Sequence, residues 1–262
     1  MQENTEIILP NTIRGIAGTE IFKNQNNLVS ITIPDKVKII PQSTFSSCKN
    51  LKEVKFSSSL EIINKKAFMD CLSLESVVLY ENVNYVGDEA FYGCQSLHSV
   101  KLGENITEIG PSAFAGCPSL ERLVIPDGVT RLRINMILGT AVTWINLPKE
   151  MRTIEEISKN SPLTAVIVPK ELAKLNYNYL YRNTKLNKVF FTGTEEEWKS
   201  LPKVENYQRT NFMLGASVDD EALKVLLAEW LEVLNVYFYS EEEPTEEGNF
   251  WHYVDGTPTK WE

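Results

Sequence analysis

A period of 23 residues runs through the first half of the chain and limits what it can fold into. The segments TFSSCKNLKEVKF (44–56), AFMDCLSLESVVL (67–79), AFYGCQSLHSVKL (90–102) and AFAGCPSLERLVI (113–125) follow one another at that interval. Phe22, Phe45, Phe68, Phe91 and Phe114 share one phase, and Leu28, Leu51, Leu74, Leu97 and Leu120 share another. All four cysteines of the protein, Cys48, Cys71, Cys94 and Cys117, share a third. A fixed period in the twenties defines a solenoid, in which each unit buries its apolar face only against its neighbours.

Within a unit the apolar residues alternate, as in Leu97-x-x-Val100-x-Leu102, the pattern of a short strand with one buried face. A turn follows, often marked by proline (Pro34, Pro126, Pro148, Pro169). A second apolar pair comes next: Val37/Ile40, Leu60/Ile63, Val83/Val86, Ile106/Ile109 and Val129/Leu132. The Ala-Phe-x-x-Cys stretch then returns the chain, and it is expected to do so as a short helical turn. Downstream, Val142-Ile145-Leu147, Leu163-Val166-Val168 and Leu186-Val189-Phe191 continue the strand at spacings of 22, 21 and 23, without the phenylalanine and cysteine. Upstream, Ile7-x-Leu9-Pro10 reads as the end of a strand whose start is missing, so the chain is expected to derive from something longer.

The cysteine–histidine pair in AFYGCQSLHSV invites a metal or thiol reading, which the repeat removes. Equivalent residues in stacked units lie about 4.8 Å apart with side chains pointing the same way. A disulfide needs convergent side chains, and zinc needs four ligands meeting at a point. One cysteine every 23 residues makes a line, so the thiols are expected to be buried filler. His98 takes the position held by Lys52, Glu75 and Arg122 in neighbouring units, and is expected to face solvent.

The recurring Ala-Phe-x-x-Cys-x-x-Leu-x-x-Val pattern resembles the BspA-like leucine-rich repeats over residues 7–192. The ending YFYSEEEPTEEGNFWHYVDGTPTKW is similar to the tails of such proteins from gut anaerobes. The resemblance implies a surface or secreted adhesion or interaction module, extracellular or at the cell surface, although no signal peptide is visible in MQENTEIILPN. Its implied partner is a host or bacterial surface protein.

From Gly193 the repeat stops. Thr194 followed by Glu197 forms a capping box that starts a helix at TEEEW. SVDDEALKVLLAEWLEVL (217–234) reads as an amphipathic helix, with Leu223, Leu226, Leu227, Trp230, Leu231 and Leu234 on one face. It is expected to be an insertion that either seals the end of the sheet or docks a partner, ahead of a last strand NVYFYS (235–240). The EEEPTEE run lacks the spaced Asp/Asn and glycine of a calcium loop and reads as a hinge.

Residues 195–262 carry a balance of −11 while residues 1–194 carry +2, so no segment is basic enough to suggest nucleic acid or an anionic membrane. No run approaches the length of a membrane span. Phosphate loops, dinucleotide motifs and nucleophile triads are all missing from the sequence, so no enzyme activity, metal or cofactor is expected.

The organisation predicted is therefore mostly β with some α. A right-handed leucine-rich-repeat solenoid of about eight units fills 1–192, a helical insertion and capping strand fill 193–240, and an acidic hinge with an aromatic segment fills 241–262. On the outward strand face the last units place Val124, Trp144, Ile167 and Phe190, an apolar patch that is either a partner-binding site or covered by the C-terminal helix or tail. The competing candidate is carbohydrate binding by Trp251, Tyr253 and Trp261, which surround an Asp-Gly turn as in aromatic cell-wall hairpins.

Overall fold

The computed structural model describes residues 5–133, 135–151, 153–154, 162–172, 185–200, 235–242, 244, 248–255 and 257–261. The amphipathic segment 217–234 lies outside the described residues. Strands of successive units line one side of the solenoid, the first sheet, which hydrogen bonding divides into three parallel stretches: β1 (Thr5–Ile8), β2 (Leu28–Thr32) and β4 (Glu53–Lys55); β6 (Ser76–Val78) and β8 (Ser99–Lys101); and β11 (Trp144–Asn146), β13 (Ala165–Val168) and β14 (Lys188–Phe191). The apolar pairs form two further parallel ladders, one of β3 (Ile39–Ile40), β5 (Ile62–Ile63), β7 (Tyr85–Val86) and β9 (Glu108–Ile109) and one of β10 (Arg131–Leu132) and β12 (Thr153–Ile154). The registers repeat the sequence period, with Ile31 opposite Val54, Val77 opposite Val100 and Ile63 opposite Val86. The chain is thus a β-solenoid whose core is a bundle of identical-residue columns.

The tightest column is aromatic. Phe22, Phe45, Phe68, Phe91 and Phe114 stack with neighbouring centroids 5.1–5.5 Å apart and near-parallel planes. A separation slightly above the strand spacing means the rings are slipped, the offset arrangement that relieves face-to-face quadrupole repulsion. Beside them run the cysteines, all free and fully buried. They do more than fill space. Each thiol donates to the carbonyl of the phenylalanine in the preceding coil: Cys48 to Phe22 at 2.9 Å, Cys71 to Phe45 at 3.2 Å, Cys94 to Phe68 at 3.3 Å and Cys117 to Phe91 at 3.2 Å.

The Ala-Phe-x-x-Cys stretch is not helical. Two positions in each unit adopt positive φ, at Ser43 and Ser47, Lys66 and Asp70, Glu89 and Gly93, and Ser112 and Gly116. These left-handed residues break any helix into two successive turns. The amides then alternate in direction. Thr44, Ser46 and Cys48 donate back within the turn, while Ser43, Phe45 and Ser47 donate to Lys65, Ala67 and Met69 of the next coil. A further ladder results, made entirely of turns. At Gly93 the crowding is such that a Cβ would collide with the Asp70 carboxylate of the preceding coil.

The change from 23- to 22-residue units is mended by one side chain. Residues 121–126 form no regular strand. Asn146 fills the gap with its amide, donating from Nδ2 to the Ile125 carbonyl at 2.6 Å and accepting the Ile125 N–H at Oδ1 at 2.7 Å. A carboxamide reproduces the donor–acceptor pair of a strand peptide, so the Ile125 N–H and C=O are satisfied where the strand ladder is interrupted.

Beyond the coils, α1 (Glu195–Ser200) starts with the capping box expected: Glu197 N–H donates to Thr194 Oγ1 at 3.1 Å and Thr194 N–H to Glu197 Oε2 at 2.8 Å. Trp198 then packs edge-on to Phe191. β15 (Asn235–Tyr239) returns to the ladder, pairing parallel to β14 with Val189 opposite Val236. β16 (Phe250–Val254) pairs with β15 for only two residues and then forms an antiparallel hairpin with β17 (Thr257–Lys260).

Phe68→Ala should lower stability by about 3–5 kcal/mol in chemical denaturation, as for other buried phenylalanines. Asn146→Leu should cost about 1–3 kcal/mol, because it strands the N–H and C=O of Ile125. Burial pushes the Cys48 thiol from 9.0 up to about 11, so the folded state favours the neutral thiol. Its contribution is complete below the unfolded value near pH 9 and is lost as pH rises toward 11. Denaturation curves at pH 8 and 10.5 should show this loss in the wild type and less of it in Cys48→Ala.

Candidate functional site

The outward face of the first sheet divides into two halves. Glu53 and Lys55, Ser76, Ser99 and Lys101 leave the N-terminal half polar and exposed, with Val78 and Val124 as apolar positions 42% and 53% accessible. On the C-terminal half the strand registers set Trp144 opposite Ala165, Ile167 opposite Phe190, and Phe190 opposite Tyr237. These residues form a second apolar cluster, separate from the inward core, with Trp251 at its centre and Tyr237 and Tyr239 at its margin.

The cluster is closed by the C-terminal hairpin. Trp144, Ile167 and Phe190, three of the four candidate contact residues, are 7%, 3% and 4% exposed, because the hairpin covers them. The alternative that a tail covers the patch is the arrangement found here. Trp251 is fully buried: its ring lies 5.2 Å from Phe190 and 5.0 Å from both Tyr239 and Tyr253, and its Nε1 donates to the Phe191 carbonyl at 3.0 Å. Of the carbohydrate candidates, Trp251 therefore presents no ring face to solvent. Tyr253 is half-exposed, and Trp261 stacks on His252 at 3.7 Å while donating from Nε1 to the Ser240 carbonyl at 3.4 Å.

Cations fasten the hairpin at its margins. The Arg122 guanidinium lies 6.0 Å from the Trp144 ring centre and donates to the Asp255 carbonyl at 3.2 Å. Lys260 places its ammonium 5.8 Å from the Tyr237 ring. Burial raises the Tyr253 phenol above its ordinary value, and the charges of Tyr239 and Asp127 raise it further against the pull of Lys149. Asp127 and Lys149 pair with each other at 2.9 Å.

Arg122, Tyr237 and Tyr239 were not among the sequence candidates. Tyr237 and Tyr239 alternate in NVYFY and so share the outward face, a signal the sequence did carry. His98 and Cys94 stand on opposite sides of the wall, one exposed and the other fully buried. Among the described residues no group of three or more His, Cys, Asp or Glu side chains is placed to hold a metal ion.

The stacked parallel coils and their leucine, phenylalanine and cysteine columns define a leucine-rich-repeat solenoid. The profile of the BspA type Leucine rich repeat region, in six copies, matches residues 15–140 and 119–201, and the chain belongs to that family. No curated protein matches it significantly. Among solved structures, a leucine-rich repeat protein of T. pallidum is 24% identical with a TM-score of 0.50, over 64% of this chain and 75% of its own. One from Bacteroides ovatus is 20% identical with a TM-score of 0.42, over 71% of this chain and 63% of its own. A leucine rich cell surface protein from Faecalibacterium prausnitzii is 18% identical with a TM-score of 0.36, over 75% of this chain and 81% of its own.

Trp251→Ala should increase the binding of a hydrophobic dye by uncovering the second cluster, while far-UV circular dichroism of the coils stays unchanged. A dye signal equal to wild type would show that another part of the chain covers the patch.

Proposed function

We propose that this chain is a non-enzymatic protein-interaction module of a surface-exposed or secreted bacterial protein, and that it binds through the outward face of the first sheet. The observation that carries this reading is the distribution of apolar exposure. Val124 stands 53% exposed, two residues along the chain from Arg122, which donates to the Asp255 carbonyl of the hairpin bearing Tyr253 and Val254, themselves 49% and 45% exposed. Exposed apolar side chains on the two segments that the Arg122–Asp255 hydrogen bond joins have the composition of an interface centre with a polar rim.

The parallel coils also make the face rigid, so little ordering entropy is lost on binding. The resemblance to BspA-like proteins supports adhesion to a host or bacterial surface protein as the biological setting. Trp144, Ile167 and Phe190 extend the same face beneath the hairpin.

Carbohydrate binding is a second reading, favoured by the half-exposed Tyr253 ring and the adjacent His252–Trp261 stack. It no longer includes the ring of Trp251.

An immobilised panel of secreted and cell-surface proteins, probed with the wild type and with Val124→Asp, tests the first reading. Val124→Asp should weaken capture at least tenfold with no change in Tm, because the side chain contributes nothing to the inward core. Equal capture by both chains, or strong signals on a glycan array that Tyr253→Ala abolishes, would sink it in favour of the second.

A further inference from the structure

The second apolar cluster and its cover have a separability that the rest of the solenoid lacks. Among the described residues the inward columns take no member from the hairpin: the Phe, Cys and Leu ladders all belong to the first cluster, and Trp251 is the only described hairpin residue among the buried members of the second. The hairpin enters the sheet through just two register pairs, Phe238 with Phe250 and Tyr239 with Trp251, before turning over the face. It is joined to β15 by residues 240–249, a stretch with five glutamates, Pro244 and Gly248. At its far end Arg122 donates to the Asp255 backbone carbonyl.

We propose that β16–β17 is a displaceable strap resting in a peptide-binding slot, and that the slot accepts an extended partner segment anchored by an indole. This deepens the sheet-face reading and rests on it. The strap itself shows which chemistry the slot recognises. An indole drops between Phe190, Tyr239 and Tyr237, with the Phe191 carbonyl accepting its N–H. A backbone carbonyl further along meets the Arg122 guanidinium, and a cation settles over Tyr237. None of these contacts depends on covalent connection to β15. A partner segment with the same pattern competes with the resident strap, whose tether gives it an effective concentration of roughly millimolar. Binding is therefore autoinhibited, and the covered residues Trp144, Ile167 and Phe190 become partner contacts only when the strap leaves.

The probe is a labelled peptide of residues 248–261, titrated into the full chain and into the full chain carrying Trp251→Ala. Its affinity for the variant should be at least tenfold greater than for wild type, and a peptide carrying the same Trp251→Ala change should bind neither. Equal binding of the wild-type peptide to both chains, or binding to neither, overturns the proposal. So does an unfolded variant, because the coils must be complete without the strap. Hydrogen exchange on the unaltered wild type gives a second measurement: the amides of β16–β17 should exchange together, at least tenfold faster than those of β13 and β14 beneath them. Equal protection would make the hairpin an integral cap and overturn the proposal. No external partner enters either measurement, so their failure is distinguishable from failure of the Val124→Asp test.

Discussion

Everything in this molecule depends on coils being held one strand spacing apart in exact register, and the phenylalanine–cysteine columns are where that register is enforced. A ring stacked between two identical rings tolerates sliding poorly, because its neighbours above and below set the same slip. The thiol beside it supplies direction: its hydrogen bond runs to the phenylalanine carbonyl of the coil before, linking residues 26 apart and locking the coils pairwise. Burial then keeps the thiols of Cys71 and Cys94 neutral, their pKa values pushed well above the ordinary range, so the column carries no charge into the core. The inter-coil ion pairs on the surface, such as Lys38 with Glu61 at 2.6 Å and Lys66 with Glu89 at 3.4 Å, follow the same period. Exposed pairs of this kind contribute little energy, and they follow the register rather than set it.

A solenoid that buries only neighbour against neighbour leaves a problem at its end, where a parallel sheet presents unpaired edge groups and a bare apolar cross-section. Past β14 the chain addresses each separately. Trp198 of α1 sits edge-on against Phe191, and Phe238 of β15 meets the same ring from another side at 6.5 Å. The sheet edge is passed from β15 to β16 and then reversed into β17, whose Pro258 removes one donor from the final strand. An antiparallel turn with a proline is a poor template for further parallel addition.

The fold was legible in the sequence because the solenoid translates period directly into position: any two residues 23 apart lie side by side. That rule placed Cys94 inside and His98 outside, and it set Ile167 beside Phe190 before any coordinates. It failed where one unit has to adopt a conformation that composition does not announce. Ala-Phe-x-x-Cys carries helix-compatible residues, yet Ser43, Ser47, Lys66 and Asp70 sit in left-handed geometry because the amides between them must reach the next coil. Asn146 is a failure of another kind. As an outward residue among outward residues it gave no hint that its amide would stand in for a strand peptide across the shortened unit. The site was half legible for the same reason. Its strand residues obey the period, whereas the hairpin covering them obeys none, and the contact between Arg122 and Asp255 spans 133 residues.

The two apolar clusters also answer different demands. The inward one is built from side chains whose loss would leave a cavity between rigid coils, so it has to be permanent. The outward one is an apolar patch on a face that elsewhere carries serine, lysine and glutamate, and a patch of that kind on an isolated chain would invite association. Covering it with a segment of the same chain solves the association problem without altering a single coil. The cover is aromatic and hydrogen-bonded at the indole, which fixes how the hairpin lies, and it is cationic at the rim, where salt and competing carbonyls have access. Strength is therefore concentrated at Trp251 and weakness at Arg122.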